Sequence, residues 1–145
     1  MNQRLDFYKA SPEAIKAMVG LEQRIAKSGL EKSLIELVRL RASQINGCAY
    51  CVDTHSADAR KAGENERRLA TLSVWRETPF FTDRERAALE WTESLTLIAG
   101  NHAPDSVWQA VQPHFSEEEL TDLTLLIVAI NGWNRFAIAF RKLPA

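Results

Sequence analysis

Residues 33–63, SLIELVRLRASQINGCAYCVDTHSADARKAG, hold both cysteines of the chain and one of its three histidines. Ahead of the cysteines, Leu34, Leu37, Val38, Arg41 and Ile45 trace one face of a 3.6-residue period, with Leu40 beside it. That pattern predicts a helix from about Glu31 to Ile45, ended by Asn46-Gly47. AYCVDTHSADARKA then reads as a second helix, closed by Gly63. The stretch is helix, break, helix. The break puts Cys48 at the start of the second helix and Cys51 one turn into it.

The same punctuation extends in both directions. Ser11-Pro12 offers an N-cap and a proline at the first helical position, and Gly29 offers a C-terminal stop. Between them Ile15, Met18, Val19, Glu22, Ile25 and Ala26 form a mostly apolar stripe. After Gly63, Glu64–Arg76 predicts a short helix broken by Glu77-Thr78-Pro79. Thr82-x-x-Glu85 is a capping box for a long helix that passes Trp91 and Leu95 and stops near Gly100. A short helix follows Ala103-Pro104-Asp105 and is limited by Pro113. Ser116-x-x-Glu119 opens a last helix reaching almost to Arg141, with a kink expected at Gly132. No alternating strand pattern and no repeat is present. The expectation is an all-α bundle of about six to eight helices in one domain, residues 1–145.

Composition narrows the function. Eighteen basic and nineteen acidic residues leave a net charge of −1, which argues against nucleic acid or an anionic membrane as the main partner. The most apolar run, Leu123–Ile130, is shorter than the ~20 residues of a membrane span and reads as a buried helix. The first residues lack the apolar core of a secretory signal. With two cysteines spaced CxxC, a reducing, cytoplasmic setting is expected. Trp75, Trp91, Trp108, Trp133, Phe136 and Phe140 are either core or, for the last helix, a face shared with another subunit.

A thiol at a helix start is stabilised as thiolate by free N–H groups and the helix dipole. The i, i+3 spacing puts Cys48 and Cys51 on one side of the helix, within reach of a disulfide. His55 is i+4 from Cys51 but i+7, roughly 10 Å, from Cys48. Geometry therefore nominates Cys51 as the activated thiol and Cys48 as its disulfide partner. No βαβ pattern surrounds the motif, so a thioredoxin fold is not expected. Two rivals stay open: a zinc site with an incomplete ligand set, and ordinary buried residues. His102 and His114 are expected on the surface, Asp53, Thr54 and Asp58 on a solvated helix face, and Glu36 alone would read as an ion-pair partner of Arg39 or Arg41.

Taken together, Glu36, Cys48, Cys51 and His55 read E-x11-C-x2-C-x3-H. This resembles the signature of the alkylhydroperoxidase AhpD-like proteins of the carboxymuconolactone decarboxylase superfamily. The likeness covers residues 33–63 and extends through a C-terminal segment, INGWNRFAIAF. It implies an all-helical fold, trimers or hexamers, and a peroxide-reducing dithiol. Cys51 would attack the peroxide, Cys48 would resolve the sulfenic acid as a disulfide, and Glu36 with His55 would relay the proton. One departure stands out: Tyr50 occupies the place of a further histidine found in the best-studied AhpD type, and a phenol is a poor base at neutral pH.

No GxGxxG element is present, so no NAD(P)H site, no other cofactor and no metal is expected. Electrons would come from a partner dithiol, which the resemblance suggests is lipoyl-bearing. Two other classes share these features: a lactone decarboxylase without redox chemistry, and a redox-sensing oligomer without turnover.

Overall fold

Side-chain N-caps open five of the helices, from Asp6, Cys48, Asn65, Thr82 and Ser116. In the computed structural model, which describes residues 1–145, nine α-helices and two 3₁₀ segments account for all regular structure. They are α1 (Phe7–Ala10), α2 (Pro12–Ala26), α3 (Lys32–Asn46), α4 (Ala49–Lys61), α5 (Glu66–Thr71), α6 (Asp83–Thr96), α7 (Ile98–Asn101), α8 (Asp105–Val111) and α9 (Glu117–Phe140). The 3₁₀ turns are Leu72–Glu77 and Gln112–His114. Both capping boxes form, Thr82 with Glu85 and Ser116 with Glu119.

Departures from the sequence reading have local causes. The helix count exceeds the expected range because α1 and α7 span only four residues each, too few for periodicity to register. The Glu64–Arg76 helix divides at Leu72 and passes into a 3₁₀ turn in which Val74 leaves helical geometry. Gly100 lies inside α7 and stops nothing. The chain turns instead at His102 and Ala103, both at positive φ, where the Asn101 side chain bonds Ser94, Leu97 and Ala103. Gly132 does not kink α9. A Cβ there would lie 2.9 Å from Met18 Cε, so Gly132 leaves room for the end of the Met18 side chain of α2.

α9 is the axis of the bundle. Its Leu120, Leu123, Leu126, Ile127 and Ala129 are buried with Leu34, Ile35 and Val38 of α3 and Ala87, Ala88 and Trp91 of α6. The other face of α3, through Leu37 and Leu40, packs on Ala59, Leu72, Trp75 and Leu89. Each such fully buried Leu contributes about 1.5–3 kcal/mol. By length and composition α9 could cross a bilayer. Here it is a core helix, with Asp122 and Asn134 buried and bonded inside the fold.

The aromatic residues divide between core and surface. Trp75 and Trp91 are buried, Trp133, Phe136 and Phe140 are half-buried, and Trp108 is exposed.

Four side chains fix the end of α3 on this axis. Buried Asn134 donates to Ser43 Oγ at 3.0 Å and accepts from Asn46 Nδ2 at 2.8 Å, and Asn46 also donates to Asn131 Oδ1 at 2.9 Å. Buried amides this well bonded favour one register, because any slip leaves polar atoms unpaired. Just beyond, Gly47 adopts φ 71°. The Gly47 N–H donates to Gln44 O and the Cys48 N–H to Ser43 O, the Schellman arrangement. No atom lies near the position of a Gly47 Cβ, so substitution acts through backbone conformation alone. Gly47→Ala is expected to lower unfolding free energy in urea by about 1–2 kcal/mol, and Gly47→Asn by clearly less. Equal losses in both variants would contradict this account of the turn.

Candidate active site

The Gly47 turn sends α4 back along α3. Cys48 is the N-cap of α4, and its Sγ accepts from the Cys51 N–H at 3.3 Å. The two cysteines are joined as a disulfide, with Cα atoms 5.2 Å apart. They are 1% and 3% exposed and pack on Ala137 of α9 and on Tyr50. This pairing matches the i, i+3 expectation.

Antiparallel packing of α3 and α4 brings Glu36 to His55. Glu36 Oε2 lies 3.2 Å from His55 Nδ1, and Glu36 Oε1 accepts from Arg39 Nη1 at 2.7 Å. Glu36 therefore makes both the ion pair and the histidine contact that the sequence left as alternatives. Arg39 also bonds Glu22, whose Oε1 accepts from Trp133 Nε1 at 2.9 Å. Burial pushes the Glu36 carboxyl up, but the His55 hydrogen bond and the Arg39 charge together outweigh it and hold the group below its ordinary value. An ionised Glu36 can only accept. Nδ1 of His55 must then carry the hydrogen, which leaves Nε2 of the neutral ring as the proton acceptor.

Cys51 and His55 line one cavity of about 250 Å³, together with Phe7, Tyr8, Glu22, Arg39, Tyr50, Thr54, Trp133, Ala137 and Lys142. A second cavity, about 490 Å³, lies on the far side of Glu36 and is lined by Lys32, Asp58 and Lys61 among others. Arg39 lines both cavities, and Glu36 lines the second. The expectation of a solvated face at residues 53–58 holds for Asp53, which is exposed. It fails for Thr54, which lines the Cys51 cavity, whereas the Asp58 side chain is 42% exposed, with Oδ2 3.9 Å from His55 Nδ1. Ligand atoms of Glu36, His55 and Asp58 lie within 4.8 Å of one another, but Arg39 already holds one Glu36 oxygen and opposes a second cation there. His102 is exposed and His114 half-buried, both away from the site.

Several residues of this site carry little sequence signal. Glu22 had one, as a charge on an otherwise apolar stripe. Arg39 had another, three residues from Glu36. Tyr8 and Lys142 had none, because they meet only when the two ends of the chain converge on α9.

A family model for carboxymuconolactone decarboxylases matches residues 12–94, the segment from α2 into α6. The chain belongs to the carboxymuconolactone decarboxylase family. Within it the protein is AhpD-like. It is 38% identical over 64 residues to the alkyl hydroperoxide reductase AhpD of Bradyrhizobium diazoefficiens, a match covering 44% of this chain and 32% of that protein. Across nearly the whole chain it is similar to the uncharacterized protein YdfG of Bacillus subtilis strain 168, at 43% identity over 96% of this chain and 95% of YdfG. The solved structure of Agrobacterium tumefaciens ATU0492 superposes with a TM-score of 0.95 at 47% identity, covering 99% of each chain. ATU0492 is described as a protein of unknown function and a candidate AhpD antioxidant defence protein.

The state of Glu36 sets a pH dependence. Its carboxyl titrates near the ordinary 4.5 when unfolded and lower when folded. Its stabilising contribution is therefore complete above the unfolded value and is lost as pH falls through the depressed one. Urea unfolding of wild type and Glu36→Gln should give a stability gap that is widest above about pH 5 and narrows on acidification. A gap that does not change with pH would contradict the assignment.

Proposed function

We propose that the protein is an enzyme that reduces organic hydroperoxides through the Cys48–Cys51 dithiol, with Glu36 and His55 moving the proton. The observation that carries this reading is that His55, held by Glu36 at 3.2 Å, lines one cavity with Cys51. The AhpD-named relatives support the same chemistry.

In the reduced state His55 Nε2 accepts the Cys51 proton, and the thiolate attacks the terminal peroxide oxygen. An S–O bond forms as the O–O bond breaks, and the alkoxide leaves as alcohol after taking a proton from His55. Cys51 is then a sulfenic acid. The Cys48 sulfur displaces its oxygen as water, closing the disulfide. In sum, two thiols and one hydroperoxide give one disulfide, one alcohol and one water. An external dithiol returns two electrons and two protons by exchange. With both sulfurs under 4% exposed, a slender dithiol such as a lipoyl arm suits the cavity better than a thiol fixed on a protein surface. Tyr50 takes no part as a base and serves as cavity wall.

The reading places the protein in a dithiol-supplying compartment, the cytoplasm. It also carries a homo-oligomer, trimeric or hexameric, for which exposed Leu97, Ile98 and Val128 provide an apolar face. Light scattering after gel filtration should return three or six chain masses, and a monomer at micromolar concentration would remove this part.

Cys48→Ser should consume one equivalent of hydroperoxide and trap a sulfenic acid at Cys51, whereas Cys51→Ser should consume none. Glu36→Gln and His55→Asn should slow Cys51 oxidation by about 100-fold, the range for loss of an acid–base group. Oxidation that survives Cys51→Ser but not Cys48→Ser would reverse the roles. Unchanged rates in the Glu36 and His55 variants would remove the relay.

A further inference from the structure

The two ends of the chain close the Cys51 cavity together. α1 brings Phe7 against Phe136 and Phe140, with ring centroids 5.4 and 5.9 Å apart, and stacks Tyr8 on Trp133 at 6.5 Å. At the other end, Arg141 turns left-handed after α9 and the Lys142 N–H donates to Ala137 O at 2.9 Å. Ala137 itself packs on the cysteines, so the backbone of Lys142 is fixed relative to the reactive pair. Its ammonium lies over three rings, 4.6 Å from the Tyr8 centroid, 4.7 Å from Tyr50 and 5.7 Å from Phe7.

Besides its tyrosines and Cys51, this cavity is lined by one acidic side chain, Glu22, the imidazole of His55 and two basic side chains, Arg39 and Lys142. Arg39 is neutralised by Glu22 and Glu36, and His55 is bonded to Glu36. Lys142 makes no ion pair and donates to no side chain or carbonyl. Ring faces attract its charge, but they do not satisfy three N–H donors as oxygen acceptors do. A half-buried cation with open donors, above an aromatic chamber that ends at a thiol, is suited to an anion on an apolar body.

We propose that Lys142 is a specificity-determining residue of the Cys51 chamber, and that the chamber takes an organic hydroperoxide whose apolar body carries a carboxylate remote from the peroxide. This rests on the peroxidase reading above and adds its substrate class. The bonds made and broken at Cys51 are those already given. The carboxylate stays ionised throughout and pairs with Lys142. Tyr8, Tyr50 and Trp133 enclose the body, which orients the peroxide toward the sulfur.

The test uses the reduced full-length protein with cumene hydroperoxide and its para-carboxylate, followed by stopped-flow fluorescence. The carboxylate should oxidise Cys51 about tenfold faster than the neutral peroxide, the scale of one charge-assisted contact. That preference should fall toward unity in Lys142→Met and at high ionic strength, and persist in Lys142→Arg. No preference in wild type, or the same preference in Lys142→Met, overturns the proposal while leaving the peroxidase reading intact. If neither peroxide oxidises the thiols, the peroxidase reading falls, and binding of unreactive para-isopropylbenzoate decides the anion site alone. Tryptophan quenching that is lost in Lys142→Met upholds that site, and absence of quenching in wild type removes it.

Discussion

The left-handed turn at Gly47 is the constraint on which the site depends. One residue at positive φ reverses the chain between α3 and α4, and the reversal decides two things together. It leaves Cys48 as an N-cap with Cys51 one turn later, and it lays His55 alongside Glu36 although nineteen positions separate them. The turn would be of little use if α3 could slide. The buried Ser43–Asn46–Asn134 bonding prevents that by tying the last turn of α3 to the central helix α9. Stability and chemistry meet at the same few residues: the polar core contacts that set the register of α3 also set where the sulfurs lie.

A second layer is electrostatic. Arg39 lies between Glu22 and Glu36 and keeps a half-buried carboxylate charged beside an imidazole. That charge fixes which nitrogen of His55 carries hydrogen, and so which one is left to accept a proton. Tyr50 does not interrupt this arrangement, because the proposed relay runs from Glu36 on α3 to His55 on α4 and not along α4. The cost is a shorter path with one fewer proton carrier. Trp133 extends the same network into the cavity wall through Glu22, so the walls and the relay are held by one set of bonds.

Much of this was legible in the sequence, for identifiable reasons. Capping boxes, the Gly47 stop and the apolar stripes of α2 and α3 are local signals, and they mark the helices that carry the site. The i, i+3 and i+4 relations within α4 placed Cys48, Cys51 and His55 on one side before any tertiary contact was considered. Glu36 was reachable only through the family-like spacing, since nothing local tells whether a carboxylate on α3 faces an arginine, a histidine or both. Thr54 was misplaced because its side of α4 lines the Cys51 cavity. Gly100 and Gly132 show the other failure. Glycine marks a stop, a kink or a close approach equally well, and only the neighbour, here Met18 for Gly132, decides which. Tyr8 and Lys142 come from opposite ends of the chain and meet through packing alone.

The central claim is that Cys51 and Cys48 form a peroxide-oxidised dithiol, and it can be met with a single-turnover measurement. Reduced, metal-free protein is mixed with one equivalent of tert-butyl hydroperoxide, and free thiols and intact mass are followed together. The account predicts rapid loss of both thiols, a mass lower by two hydrogens and release of one equivalent of alcohol. Thiols that survive longer than an ordinary exposed cysteine under the same conditions would contradict it.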